Sequence, residues 1–331
     1  MSTPQNEVFV VERDLAGVRL RDLLAHARPG IHRGDLHQLL RSGEVSVNGE
    51  ACLHDRRLRL GDVVLCSGLD RARRFRPPAG DPPPAPVVLC ETATALVVAK
   101  PAGMPSVPDR SGRERGVHGV LADLRPGDDL RIVHRLDRNT SGCLVLAKGI
   151  AAARHFDRMF RERRVRKTYV ALVGGVPAAD DLEIDALLGP DRRRPGRVVA
   201  SDQARTGFRE AHTSLRVRAR FRRHALVELH PTTGRGHQLR VHLQSIGHPI
   251  VGDDDYGGER LLLSRLKPAY KQRKGVTEKP LLRRMFLHAE RVGFVDFDGA
   301  EVVAEAPLPE DLAVALRHVE KHTKTHRHQC D

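Results

Sequence analysis

One short run of the chain holds the residue types that could do chemistry. Between two apolar, strand-like stretches, Ile132-Val133 and Cys143-Leu144-Val145-Leu146-Ala147, lies the polar segment His134-Arg135-Leu136-Asp137-Arg138-Asn139-Thr140-Ser141-Gly142. Its one carboxylate is Asp137, and a polar loop held between scaffold elements is the usual seat of a catalytic group. A carboxylate drawn into such a pocket tends to be neutralised by desolvation, so it needs a neighbouring cation to stay charged and aimed. Two familiar chemistries do not fit. In the protein-kinase catalytic loop the aspartate directly follows the arginine, whereas Leu136 intervenes here, and no Gly-rich loop or Asp-Phe-Gly accompanies it. His230, His237, His242 and His248, taken with Asp253, Asp254 and Asp255, match no familiar zinc or calcium spacing.

Three further segments surround that loop in a fixed order. Leu96-Val97-Val98-Ala99-Lys100-Pro101-Ala102-Gly103 precedes it, and Lys167-Thr168-Tyr169-Val170-Ala171 follows. Then comes Thr233-Gly234-Arg235-Gly236-His237-Gln238-Leu239-Arg240-Val241-His242-Leu243, leading to Gly247-His248-Pro249-Ile250-Val251-Gly252-Asp253. With His-Arg-Leu-Asp and Thr-Ser-Gly, these ordered segments resemble the large ribosomal and transfer RNA pseudouridine synthase family across residues 87 to 308. Two departures from that pattern stand out. Val107 to Arg115 lies where the family often continues with a His-Pro-type segment, and Gly236 replaces the commoner threonine. Neither touches Asp137, Tyr169 or Arg240; both bear on loop conformation and RNA specificity.

The resemblance implies roles by position. Asp137 matches the essential aspartate, which attacks the ribose or abstracts a proton from it so that uracil detaches, rotates and rejoins through carbon. An anion in a water-poor pocket suits a glycosidic bond that breaks with positive character at the sugar. Arg240 matches the arginine paired with that aspartate. Tyr169 matches an active-site tyrosine able to stack on a flipped uracil and to take part in proton transfer. Arg135 matches a position that can insert into the RNA, its planar guanidinium suited to stacking and phosphate contact. His134 and Thr140 are expected at the substrate, and Leu287 resembles the apolar residue beside the uracil. Because the substrate supplies every atom of the product, no cofactor and no metal are expected; the chain has no Rossmann fingerprint and no P-loop. A non-catalytic RNA-binding or ribosome-assembly protein on the same scaffold is the alternative. Retention of Asp137, Tyr169 and Arg240 together weighs against it.

These residues need elements to position them. Short apolar runs at Ala95 to Ala99, Leu144 to Ala147, Tyr169 to Val173 and Ala225 to Leu229 read as strands of one mixed sheet. Helical spacing joins Ala152, Phe156, Met159 and Phe160, and again Leu239, Leu243 and Ile246 before Gly247. The expected class is therefore α+β, a pseudouridine synthase catalytic fold with a mixed, mainly antiparallel sheet flanked by helices, spanning residues 87–317.

Ahead of it, Val18 to Ala25 and Leu36 to Leu40 have helix-like spacing, followed by Val45-Ser46-Val47-Asn48-Gly49, an alternating strand entering an Asn-Gly hairpin turn. A strand after Gly61-Asp62 completes a pattern that resembles the S4 RNA-binding domain, assigned to residues 1–70. Its cationic helix faces offer Arg19, Arg21, Arg33 and Arg41 to RNA, as Lys167 does from the catalytic domain. Residues 71–86, rich in proline and arginine, read as an extended linker. The His-rich tail, residues 318–331, reads as a basic, frayed helix end.

Composition agrees with a polyanionic partner. The 331-residue chain carries a net charge of +14, with arginine far outnumbering lysine, and cations that neutralise phosphates release condensed counterions. Ribosomal RNA is the expected partner, with transfer RNA the second choice. Nothing near Met1 has the apolar core of a signal peptide, and no window reaches the roughly 20 apolar residues of a membrane span. A cytoplasmic monomer is expected. Cys52, Cys66, Cys90, Cys143 and Cys330 form no Cys-x-x-Cys pair, which argues against disulfide and zinc frameworks alike.

Overall fold

The computed structural model describes residues 6–13, 15–27, 36, 39–67, 69, 84–108, 116–194, 196–267, 269–271 and 277–323. Arg33, linker residues 71–83 and tail residues 324–331 thus lie outside the described residues. The chain forms two compact units. The first comprises Met1–Leu96, Met104–Arg135 and Val145–Arg158; the second comprises Val97–Gly103, Leu136–Leu144 and Met159–Asp331.

The first unit opens with β1 (Asn6–Val10), α1 (Leu20–Ala27), β2 (Val45–Val47), β3 (Glu50–Ala51) and β4 (Val63–Ser67). The strands form an antiparallel sheet in the order β1-β4-β2-β3. Strand β1 is an addition that the sequence pattern did not suggest. Leu20, Leu23 and Leu24 of α1, helical Leu36, Leu39 and Leu40, and the inward side chains of β2 and β4 share one core. The β2–β3 turn places Asn48 and Gly49 at φ 56° and 84°, the left-handed pair that a two-residue hairpin of this hand requires. Asn48 also locks the turn to the next loop. Its Nδ2 donates to Asp62 at 2.9 Å and its Oδ1 accepts from the Val63 amide at 2.8 Å. The Arg59 amide and Asn48 together hold the Asp62 carboxyl below its ordinary range.

Beyond residue 84 the first unit contains β5 (Val87–Glu91), which turns through Thr92 into the start of β6 (Ala95–Lys100), and then α2 (Val117–Leu124) and β7 (Leu130–Ile132). Strand β7 pairs antiparallel with the second half of β8 (Ser141–Lys148), Ile132 facing Leu146. Helix α3 (Gly149–Arg161) follows, burying Ala152, Phe156 and Met159 along the expected face.

The second unit is built on a run of antiparallel strands in the order β11-β10-β12-β13-β9-β14, where these are Val198–Ser201, Asp181–Pro190, Arg209–Arg220, His224–Pro231, Arg166–Gly174 and Leu287–Val295. Strand β15 (Glu301–Glu305) pairs with the far half of β14. Ser141 and Gly142, the first residues of β8, run parallel to His288 and Ala289, which makes the sheet mixed though mainly antiparallel. Strand β9 is buried on both faces over most of its length and is a continuous Val/Ala/Leu run, the signature of a central strand. Helix α4 (Gln238–Ser245) packs through Val241 on Leu188 and Ala211, with Tyr256 in the same cluster. Short α5 (Leu263–Leu266) precedes α6 (Glu310–Thr323). Residue 317, where the catalytic region was expected to end, falls inside α6, and Val319 is fully buried. Among the described residues no helix is long and apolar enough to cross a membrane.

Candidate active site

Asp137 opens a tight turn whose first three carbonyls are engaged. The Thr140 amide closes the turn on the Asp137 carbonyl at 3.0 Å. The Arg138 carbonyl accepts from the Gly103 amide at 2.9 Å and from Lys100 Nζ at 3.0 Å. The Asn139 carbonyl accepts from Arg284 Nη1 at 3.2 Å, while the rest of that guanidinium grips Asp311 at the start of α6. Two cations therefore hold the backbone next to the carboxylate. Lys100 is almost wholly buried, and burial, reinforced by the Arg284 charge and opposed by Asp137, brings its ammonium down to about 7.

After the turn, Gly142 sits at φ 117°, and a Cβ there would stand 2.1 Å from the Ala289 carbonyl oxygen. The Thr-Ser-Gly glycine is thus required by the close approach of β14. Thr140, expected at the substrate, is buried and contributes its backbone amide.

Among the described residues, the cation paired with Asp137 is Arg240. Its Nη1 lies 3.6 Å from Asp137 Oδ2, an ion pair longer than a hydrogen bond. Its short bonds go elsewhere: Nε and Nη2 donate to the two oxygens of Asp253 at 2.7 Å each, and Nη2 also donates to Asp255 at 2.8 Å. Burial opposes the charge, but the Asp253 bonds outweigh it and raise the guanidinium above its ordinary value. The Tyr256 ring packs 4.6 Å below it, within cation–π range. Tyr256 is fixed in turn. Its hydroxyl accepts from the Val198 amide and donates to the Val198 carbonyl, both at 3.1 Å, and meets His237 Nδ1 at 2.8 Å.

A family model described as RNA pseudouridylate synthase matches residues 94–245. The chain is 33% identical over 323 residues to ribosomal large subunit pseudouridine synthase C of Vibrio cholerae, covering 94% of this chain and 96% of that one. It is 34% identical to the Escherichia coli K12 protein of the same description, with 95% and 97% covered. The chain belongs to the RNA pseudouridine synthase family. Among solved structures, human RNA pseudouridylate synthase domain containing 4 superposes with a TM-score of 0.58 at 27% identity, covering 72% of this chain and 94% of that one. The human domain containing 1 protein gives 0.54 at 27% identity, with 71% and 90% covered. The synthase is an isomerase.

Tyr169 stands in β9 between Leu229 of β13 and Ala289 of β14, almost fully buried. Burial, with the Asp137 and Cys143 charges adding to it, raises the phenol well above its ordinary value, so it is neutral at working pH. Leu287 begins β14, buried and opposite Ala171. Arg135 is exposed and without a partner among the described residues. His134 turns inward: its Nε2 accepts the Val145 amide at 2.9 Å, continuing on β8 the pairing that β7 ends at Ile132. Lys167 also turns inward, donating to the Thr233 carbonyl at 3.3 Å, with burial lowering it to about 8. Arg19 pairs with Asp55 at 3.2 Å, while Arg41 is exposed.

Gln238 stitches the Thr233–Gln238 loop to β12. Its Oε1 accepts from Thr233 Oγ1 and the Arg235 amide at 2.8 and 3.0 Å, and its Nε2 donates to the His212 carbonyl and Thr213 Oγ1 at 2.9 and 3.0 Å. Lys100, Asp253, Tyr256 and Arg284 were given no role from the sequence. A signal was present for two of them, because Lys100 and Asp253 end apolar runs, and a charge buried at such a place requires a partner.

Proposed function

We propose that the synthase isomerises uridines in large-subunit ribosomal RNA, with Asp137 acting on the ribose, Arg240 as its counter-ion and Tyr169 against the flipped base. The observation that carries this reading is the Arg240 guanidinium at 3.6 Å from the only carboxylate of the His134–Gly142 loop. Support for the RNA class comes from the curated relatives described as ribosomal large subunit synthases. Transfer RNA is the second substrate class. The bond from uracil N1 to the anomeric carbon breaks, the bond from uracil C5 to that carbon forms, the C5 proton leaves to solvent, and N1 takes a proton from solvent.

The target uridine must first leave its stack, at a cost of a few kcal/mol. In this reading Arg135, exposed and two residues before Asp137 in the chain, fills the gap. A neutral Tyr169 offers a ring face and a hydroxyl donor without adding a second anion beside Asp137. Residues 1–70 serve as an S4-like RNA-binding module in this reading.

The test is release of tritium from RNA labelled at uracil C5. Asp137→Asn is expected to abolish release while leaving RNA affinity within about twofold, since it removes charge and nucleophilicity with little change of shape. Near-wild-type release from that variant would overturn the assignment. No release by the wild-type protein from ribosomal or transfer RNA, with binding intact, would favour the non-catalytic alternative.

A further inference from the structure

We infer that Asp253 is a positioning residue for catalysis, acting by holding the fork of Arg240 away from Asp137. This rests on the reading that Asp137 and Arg240 work together.

A guanidinium left alone with one carboxylate closes on it as a bidentate pair, with both N–H···O bonds short. At Asp137 that would occupy the oxygens needed at the ribose. The structure has the opposite arrangement: the Nε–Nη2 edge of Arg240 is taken by Asp253 at 2.7 Å on both sides, and only Nη1 is turned to Asp137, at 3.6 Å. Asp253 thereby leaves the Asp137 carboxylate, which is 31% exposed, open on its substrate side while a positive charge stays beside it. Asp255 touches the same guanidinium but its side chain is 71% exposed, so solvent weakens its hold.

The carboxylate that does the holding is itself rigidly set. Asp253 is 2% exposed and its segment is tied by backbone bonds on several sides. The Val251 amide donates to Leu172 and the Val251 carbonyl accepts from Phe286, both at 2.9 Å. Asp253 itself donates to the Ile250 carbonyl and accepts from the Gly258 amide. Gly252 and Gly258 allow this fold of the chain: a Cβ at Gly252 would lie 2.3 Å from the Arg284 carbonyl oxygen, and one at Gly258 1.8 Å from that of Ile250. Tyr256, held by Val198 and His237, supports the guanidinium from below. The Arg240 plane is thus set by a carboxylate in its edge and a ring on its face.

Steady-state tritium release from transcribed large-subunit RNA labelled at uracil C5 tests this, using the full chain. Asp253→Asn is expected to lower kcat on the order of 100-fold, the scale of a misplacement near 1 Å, with KM within about twofold. Asp253→Glu keeps the buried charge and is the second variant should the first fail to fold; its longer side chain shifts Arg240, and kcat is expected to fall about tenfold or more. A structural role alone would add independently to other changes, so Asp253→Asn is also measured in an Arg240→Lys background. Lysine has no fork to hold, and there the further loss is expected to be under about threefold. Wild-type kcat in a folded Asp253 variant, or losses that multiply fully with Arg240→Lys, would overturn the inference. Activity in Asp137→Asn would instead overturn the reading beneath it.

Discussion

Ser141 Oγ and His288 Nδ1 stand 2.9 Å apart, joining the end of the Asp137 loop to the start of β14. His288 Nε2 donates to the Ala306 carbonyl at 3.0 Å, so its Nδ1 is the lone-pair nitrogen and the serine hydroxyl is the donor. Burial holds this imidazole below its ordinary value, in keeping with the neutral tautomer. The bond lies beside the parallel pairing of Ser141–Gly142 with His288–Ala289. Asp137 is therefore followed within a few residues by a segment fixed on β14 from both backbone and side chain.

Gly142→Ala should break that attachment. The φ of 117° strains any L residue by about 1–3 kcal/mol, and the new methyl meets a backbone oxygen that cannot rotate away. We expect a lower denaturation midpoint and a loss of turnover larger than the loss of RNA affinity, because the displaced segment carries Asp137. Urea titration alongside tritium release measures both. Wild-type stability would mean that β8 and β14 can separate freely here.

Gln238→Leu should loosen the base of α4. The substitution leaves the Thr233 hydroxyl and the Arg235 amide without their acceptor and removes one of the two donors to the His212 carbonyl, which keeps the Thr232 amide. Unsatisfied buried polar groups cost about 1–3 kcal/mol each, and partial solvation should keep the total near 2–4 kcal/mol. Since Arg240 is two residues further on, kcat should fall as well. Chemical denaturation with parallel kinetics checks the pairing of the two effects.

The parts of this architecture that were legible in the sequence share a physical cause. Strands β6, β8, β9 and β13 are buried over most of their length, so their apolar runs stand out. Strand β12 reads Arg-Glu-Ala-His-Thr-Ser-Leu-Arg-Val-Arg-Ala-Arg, because one face is open and carries ion pairs: Arg216 to Asp181, and Arg218 to Glu228 and Glu290. Charge on an open face hides a strand from a search for apolar runs. The site behaves similarly. Asp137, Arg240 and Tyr169 stand in segments whose resemblance to a family makes them candidates, while the Asp253 and Arg284 contacts depend on chain segments brought together only by the fold. His134 shows the converse, a motif residue whose ring is committed to the Val145 amide.

Acid should weaken the fold through His242. Both its ring nitrogens are buried without a hydrogen-bond partner among the described residues, and burial brings its value down to about 4 from 6.5. Between those two pH values the unfolded chain binds a proton that the folded chain does not, so stability is full above about 6.5 and falls toward pH 4. The window corresponds to roughly 3 kcal/mol at most. His224, His237 and His288 are depressed by burial too and act in the same direction. Urea midpoints at pH 7.5 and 4.5 should differ less in His242→Leu than in the wild type. An equal difference would show that His242 does not set this slope.

Removing residues 1–70 should weaken RNA binding and flatten its dependence on salt. Each phosphate contact contributes about −0.7 to the slope of log affinity against log salt for single strands, and about −0.9 for duplex DNA. In the N-terminal sheet-and-helix region Arg41 is exposed, whereas Arg19 and Arg21 share Asp55, so not every cation there is available to a phosphate. A loss of one to three contacts would lower the slope by about 0.7 to 2. Filter binding of a large-subunit RNA fragment between 50 and about 300 mM salt resolves that change. The truncated protein should keep its core chemistry, because Asp137, Tyr169, Arg240 and Asp253 all lie in the second unit. Tritium release at saturating RNA should then approach the full-length kcat while KM rises. An unchanged slope would show that the N-terminal region does not touch RNA, and a collapse of kcat at saturation would show that it shapes the active site as well.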